Sequence, residues 1–140
     1  MRILRKGIVL GLLIGLVTPS SIEPKSAIAA EYLMAPKSFA SFKMKQYGWN
    51  SKEYGCLVHL WTRESNWNPL SYNKTPVYAI IHGKKVALHA RGIAQKLGET
   101  SVMPHTQIAH GLDYIRARYG SPCKAWGFWQ FKSRTGVGWY

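Results

Sequence analysis

The run Cys56-Leu57-Val58-His59-Leu60-Trp61-Thr62-Arg63-Glu64-Ser65-Asn66-Trp67-Asn68-Pro69 constrains this chain more than any other stretch. Leu57, Leu60, Trp61 and Glu64 fall at i, i+3, i+4 and i+7, so a helix would carry them on one face. The pattern predicts a helix over about residues 52–65, with Ser51 as N-cap and Glu53 in the first turn. Asn68-Pro69 then stops it, because proline lacks the amide donor and biases the residue before it towards extended backbone. Three members of the face suit a core and the fourth is a carboxylate. Glu64 is therefore either a helix-end charge paired with Arg63 or Lys74, or a general acid. Desolvation by Leu60, Trp61 and Trp67 and the negative end of the helix dipole would both raise its pKa, as a general acid near neutral pH needs.

The start of the chain reads as an export signal. Arg2, Arg5 and Lys6 precede an apolar run over residues 7–17, and Ala27-Ile28-Ala29 has the small-x-small form of a cleavage site. That run is shorter than the roughly 20 residues that span a bilayer as a helix. An uncleaved signal anchor is the alternative. The expected organisation is thus a signal at 1–29, an N-terminal segment at 30–47 and one domain at 48–140. The net charge is +13, and most of it lies beyond residue 29, so anionic wall polymers, membrane surfaces and nucleic acid are all electrostatically admissible. Cys56 and Cys123 in an exported chain predict one disulfide, which the chain-entropy model values at roughly 4 kcal/mol for a loop this long.

Further along, residues 39–47 show weak helical spacing. Residues 77–81 and 86–90 flank His82-Gly83-Lys84-Lys85 and read as a hairpin with a basic tip. Arg91 to Gly98 holds at most one helical turn. Met103-Pro104 opens a second clear helix, in which Ile108, Leu112, Ile115 and Tyr119 form one buried stripe ending at Gly120. Ser121-Pro122 starts a short helix carrying Cys123, Ala125 and Trp126.

Several chemistries are disfavoured. His59, His82, His89, His105 and His110 lack metal-ligand spacing, so neither a metal nor a cofactor is expected. There is no Gly-rich phosphate loop and no nucleophile elbow. Aromatics interleaved with cations near Trp126 and Trp129 could stack on bases or on sugar rings, or simply fill a core.

Glu64-Ser65-Asn66-Trp67-Asn68-Pro69 resembles the E-S-x-aromatic-[N/D]-P signature of soluble-lytic, goose-lysozyme-like transglycosylases. Gly92-Ile93-Ala94-Gln95 is similar to the G-[L/I]-[M/A]-Q motif that follows it, and Pro122-Cys123-Lys124-Ala125-Trp126 resembles the C-terminal part of small secreted members. The likeness spans about residues 49–140. It implies a mainly α, lysozyme-like domain with a small β-hairpin, secreted to the cell wall and acting as a monomer on peptidoglycan glycan strands. It also implies cleavage of the MurNAc–GlcNAc bond by Glu64 alone, acting first as acid and then as base to leave a 1,6-anhydro end. Ordinary glycosidases use two carboxylates, and Glu99 is the one candidate for a second, preferred here as a loop charge. By position, Gln95 would line the groove, Ser65 would support the glutamate or a sugar amide, and Asn73 would be a polar loop residue. The family's A-Y-N motif appears as Ala125-Trp126-Gly127, so Trp126 replaces a phenol that would reach the acid. A hydrolytic lysozyme, a non-catalytic glycan-binding module and a basic nucleic-acid binder are the competing readings; the last leaves Glu64 and Gln95 without a role.

Overall fold

A computed structural model of the chain describes residues 30, 31 and 33–136. The expected export signal at 1–29 lies outside them. Four helices carry most of the described chain, with a small antiparallel hairpin and one disulfide, so the expected mainly α class is found.

Helix α1 spans Pro36–Met44 and runs into a 3-10 turn, Lys45–Tyr47, that ends at Gly48. Helix α2, Ser51–Ser65, is the central element: Leu57, Leu60 and Trp61 are fully buried. Its N-cap is Asn50, whose Oδ1 accepts from the Lys52 and Glu53 amides at 3.1 and 3.2 Å. The expected cap was Ser51, one residue on; adjacent Asn and Ser are both good caps, but Asn50 has the extended backbone of a cap (φ −92, ψ −174) and Ser51 is already the first helical residue. The stop also differs. Asn66 and Trp67 take left-handed backbone, φ 53 and 60, and the Asn66 and Trp67 amides close on Thr62 and Trp61 carbonyls. Asparagine tolerates that conformation, so the helix ends before Pro69 is reached.

Helix α3, Pro104–Tyr119, buries Ile108, Leu112 and Ile115 as its spacing predicts, and α4, Pro122–Thr135, packs along α2. The Cys56–Cys123 disulfide joins the starts of α2 and α4, with the Cα atoms 4.9 Å apart. Beside it, Glu53 accepts from the Cys123 amide at 2.7 Å and from Ser121 Oγ at 3.1 Å. A carboxylate thus satisfies the open amide end of α4 from a neighbouring helix.

Strands β1, Val77–Ile81, and β2, Lys84–Leu88, form the hairpin, pairing Val77 with Leu88 and Ile81 with Lys84. The turn is His82-Gly83 alone, both at positive φ (50 and 75), the signature of a two-residue I′ turn. Lys84 and Lys85 therefore belong to the strand rather than the loop. Two shorter strands, β3 at Ala90–Arg91 and β4 at Lys96–Leu97, bracket the turn that holds Gly92 to Gln95.

Candidate active site

Three segments meet at the end of α2: the helix terminus with Glu64 and Ser65, the turn Gly92–Gln95, and the middle of α3. Ser65 Oγ donates to the Ile93 carbonyl at 2.6 Å, binding the helix end to the turn. Its hydroxyl is used on backbone, so its support for Glu64 is indirect. Close approach is required elsewhere as well. A Cβ on Gly111 of α3 would sit 2.7 Å from Ala94 Cβ and 2.8 Å from the Trp61 ring. One on Gly92, at φ 72, would collide with the Gln107 carboxamide at 2.4 Å.

Gln107 organises this junction and was not singled out in the sequence. It is 2% exposed. Its Oε1 accepts from the Ile93 amide at 3.0 Å, while Nε2 donates to the Pro69 carbonyl at 2.9 Å and to Ser101 at 2.8 Å. One side chain therefore ties the end of the first motif to the second. Gln107→Leu leaves a buried amide and two carbonyls without partners, and a loss of about 3 kcal/mol in urea-unfolding free energy is expected.

Glu64 stands on the last turn of α2. Burial pushes its carboxyl pKa from 4.5 up to about 7, and a side-chain hydrogen bond from Trp129 pulls the other way. The indole N–H can only donate, so Trp129 steadies the ionised form. Neither Arg63 nor Lys74 forms an ion pair with Glu64 among the described residues, which leaves the paired helix-end reading unsupported.

Trp126, the aromatic singled out in the sequence, stacks on Trp129 (centroids 5.2 Å) and on His59 (5.7 Å). It backs the residue that meets the acid. The offset explains why. Helices α2 and α4 run parallel from the disulfide, and Glu64 lies eight residues past Cys56, about 12 Å along the axis. Trp129 lies six past Cys123, about 9 Å, and the indole spans the difference; Trp126 is only half as far along. Phenylalanine at 129 would keep the burial and lose the donor. In Trp129→Phe the Glu64 pKa rises further, so its side-chain carboxyl carbon titrates at higher pH by NMR; a titration that moves down or stays put contradicts the assignment.

A cavity of about 170 Å³ opens beside this junction, lined by Gln95, Tyr114, Thr75, Val77, Lys96 and Arg118 among others. Gln95 holds φ 47, and its Nε2 donates to the Gly92 carbonyl at 3.0 Å, leaving its oxygen for a ligand. Glu64 is not part of that lining. Tyr114 is the link: it lines the cavity, and the Glu64 charge contributes to its titration. Burial first, then Tyr119 and Glu64, push the Tyr114 phenol up to about 12, against the opposing pull of Arg118. Tyr114 thus remains a proton-bearing donor throughout the neutral range. It too escaped the sequence reading, since it flanks the Ile108–Leu112–Ile115 stripe rather than belonging to it.

Asn73 shapes the wall. Its Oδ1 accepts from the Thr75 amide at 2.9 Å, its own amide donates to Ala90 at 2.9 Å, and its carbonyl lies 3.0 Å from His89 Nδ1. Trp67 packs edge-on against Trp61 at 5.2 Å and is core. Glu99 is 4% exposed and accepts from the Thr100 and Ser101 amides and from His110 Nδ1 at 2.8 to 2.9 Å. Burial alone would raise its pKa, but the Ser101 and His110 bonds and the charges of His110 and Lys96 outweigh it and hold the group below its ordinary value. Among the described residues no three His, Cys, Asp or Glu side chains gather as metal ligands. No protein-family model, no curated protein and no solved structure matches the chain.

Proposed function

We propose that this chain is an enzyme that cuts bacterial cell-wall glycan, and more narrowly a secreted lytic transglycosylase acting on the MurNAc–GlcNAc bond of peptidoglycan. The observation that carries the reading is the isolation of Glu64. Every other described carboxylate has structural employment: Glu31 pairs with Lys43 at 3.2 Å, and Glu53 caps α4. Glu99 anchors its loop, and Asp113 meets Arg116 at 3.3 Å and Tyr47 at 3.0 Å. Glu64 alone combines burial with a pKa near 7.

One carboxyl can serve both halves of the reaction. Protonated Glu64 gives its proton to the glycosidic oxygen as the C1–O bond breaks. The carboxylate so formed, now steadied by the Trp129 N–H, takes the proton of the C6 hydroxyl as O6 bonds to C1. Both bond changes balance without water, and Glu64 ends protonated as it began. Hydrolysis by a lysozyme route would call for a second carboxylate to activate water or to act as nucleophile. Gln95 Oε1 supplies an acceptor for sugar hydroxyl and amide groups, and the Tyr114 ring lines the same cavity. The basic charge favours retention on an anionic wall, no nucleic-acid role is assigned, and the chain works as a monomer without a cofactor.

Digestion of purified peptidoglycan followed by mass spectrometry of the fragments tests this. Wild type should leave anhydro-muramic ends and Glu64→Gln should leave none. Hydrated reducing ends would instead assign a hydrolytic lysozyme. Intact glycan with protein bound to it would assign a binding module.

A further inference from the structure

The hairpin is not accounted for by the reaction. Its base is anchored, with Val77 on the cavity wall and Leu88 3.8 Å from the Cβ position of Gly98. Its tip is bare on both faces. Ile80 is 70% exposed, Tyr78 60% and Ile81 40%. The strand register sets each tip isoleucine directly across from a lysine: Ile80 faces Lys85, and Ile81 faces Lys84. Lys85 Nζ lies 4.5 Å over the Tyr78 ring. No acid occurs between Glu64 and Glu99, while Lys74, Lys84, Lys85, Arg91 and Lys96 all do.

We propose that the hairpin tip is a docking element for an anionic phospholipid surface, entered end-on. The pairing of chemistries decides the occupant. A soluble polyanion would engage the lysines and leave the two isoleucines in water. A lipid headgroup layer takes both, with Ile80 and Ile81 at the acyl boundary and the Lys84 and Lys85 stems running back to the phosphates. Tyr78, two pairs behind Ile80, occupies the level at which aromatic side chains favour a membrane interface. The hairpin residue on the cavity wall is Val77, at the base, so the tip can enter without disturbing the cavity. The proposed contact is a surface attachment through the tip; none of the described helices is long and apolar enough to cross a membrane. It is independent of the reaction at Glu64.

The test uses the full chain with a single environment-sensitive fluorophore at position 82 (His82→Cys). That site already holds a non-glycine residue at φ 50, and the native cysteines are taken up in the disulfide. With phosphatidylglycerol vesicles the emission should shift to the blue, and with phosphatidylcholine vesicles it should not. Ile80→Ser with Ile81→Ser, confirmed folded by circular dichroism, should abolish the shift. Lys84→Gln with Lys85→Gln should weaken vesicle affinity by roughly tenfold or more. A label that stays in water on phosphatidylglycerol, or that responds equally to both lipids, overturns the proposal. So does a serine pair that leaves the shift intact, which would reassign the surface to soluble polyanions such as poly(glycerol phosphate).

Discussion

Glu64→Gln should be inactive and, above neutral pH, more stable than the wild type. The activity half follows from the single-carboxylate chemistry. One general acid accounts for about 10²–10⁴-fold in rate, and in the proposed reaction the same group also acts as base, so a loss of at least about 10³-fold is expected. The stability half follows from linkage. Burial raises the folded pKa of Glu64 from 4.5 to about 7, so between those values the folded state holds more protons than the unfolded state. Unfolding free energy then falls as pH rises through that window, and the loss is complete above pH 7. At 1.36 kcal/mol per pH unit the shift corresponds to about 3 kcal/mol, an upper figure because the carboxyl is only partly buried. Glutamine is neutral at every pH, nearly isosteric, and can still accept from Trp129. Urea unfolding at pH 4 should find the two proteins alike, and at pH 8 should favour the variant. Equal stability at both values would mean that the carboxylate is solvated, and the acid role would lose its physical basis.

The burial of Glu64 was legible in the sequence because it is written in local periodicity. Glu64 shares a helical face with Leu57, Leu60 and Trp61, and all three are buried as their spacing requires. The Ile108–Leu112–Ile115 stripe and the hairpin were legible for the same reason. Features set by tertiary offset were not. Helix α4 extends to Thr135 and carries aromatics at 126, 128, 129 and 131, so no stripe singles out Trp129. Its partnership with Glu64 depends on two parallel helices being fixed at one point. Gln107 was hidden by its residue type, since a glutamine beside an apolar stripe ordinarily faces water; only three converging backbone groups keep it inside. Two boundaries moved for local reasons: the two-residue turn at His82-Gly83, and the left-handed stop at Asn66.

The common anchor of those two helices is where the second large effect is expected. Replacing Cys56 and Cys123 together by serine opens a loop with a sequence separation of 67, for which the chain-entropy model gives about 4 kcal/mol. Against the 5–15 kcal/mol typical of whole domains, that is a substantial fraction of the fold's stability. Chain entropy is only part of the consequence. The Glu53 bonds to Ser121 and Cys123 still hold the start of α4, so α2 and α4 stay adjacent in the variant, but with axial play that the disulfide forbids. The bond between Trp129 and Glu64 is the contact that depends most on that offset, six residues along one helix against eight along the other. At temperatures where the variant remains folded, the NMR titration of its Glu64 carboxyl carbon should therefore move upward in pH, towards that of Trp129→Phe. A lowered urea midpoint with an unmoved titration would confine the disulfide to stabilising the fold. A titration that moves with it would make the covalent link part of how the acid is tuned.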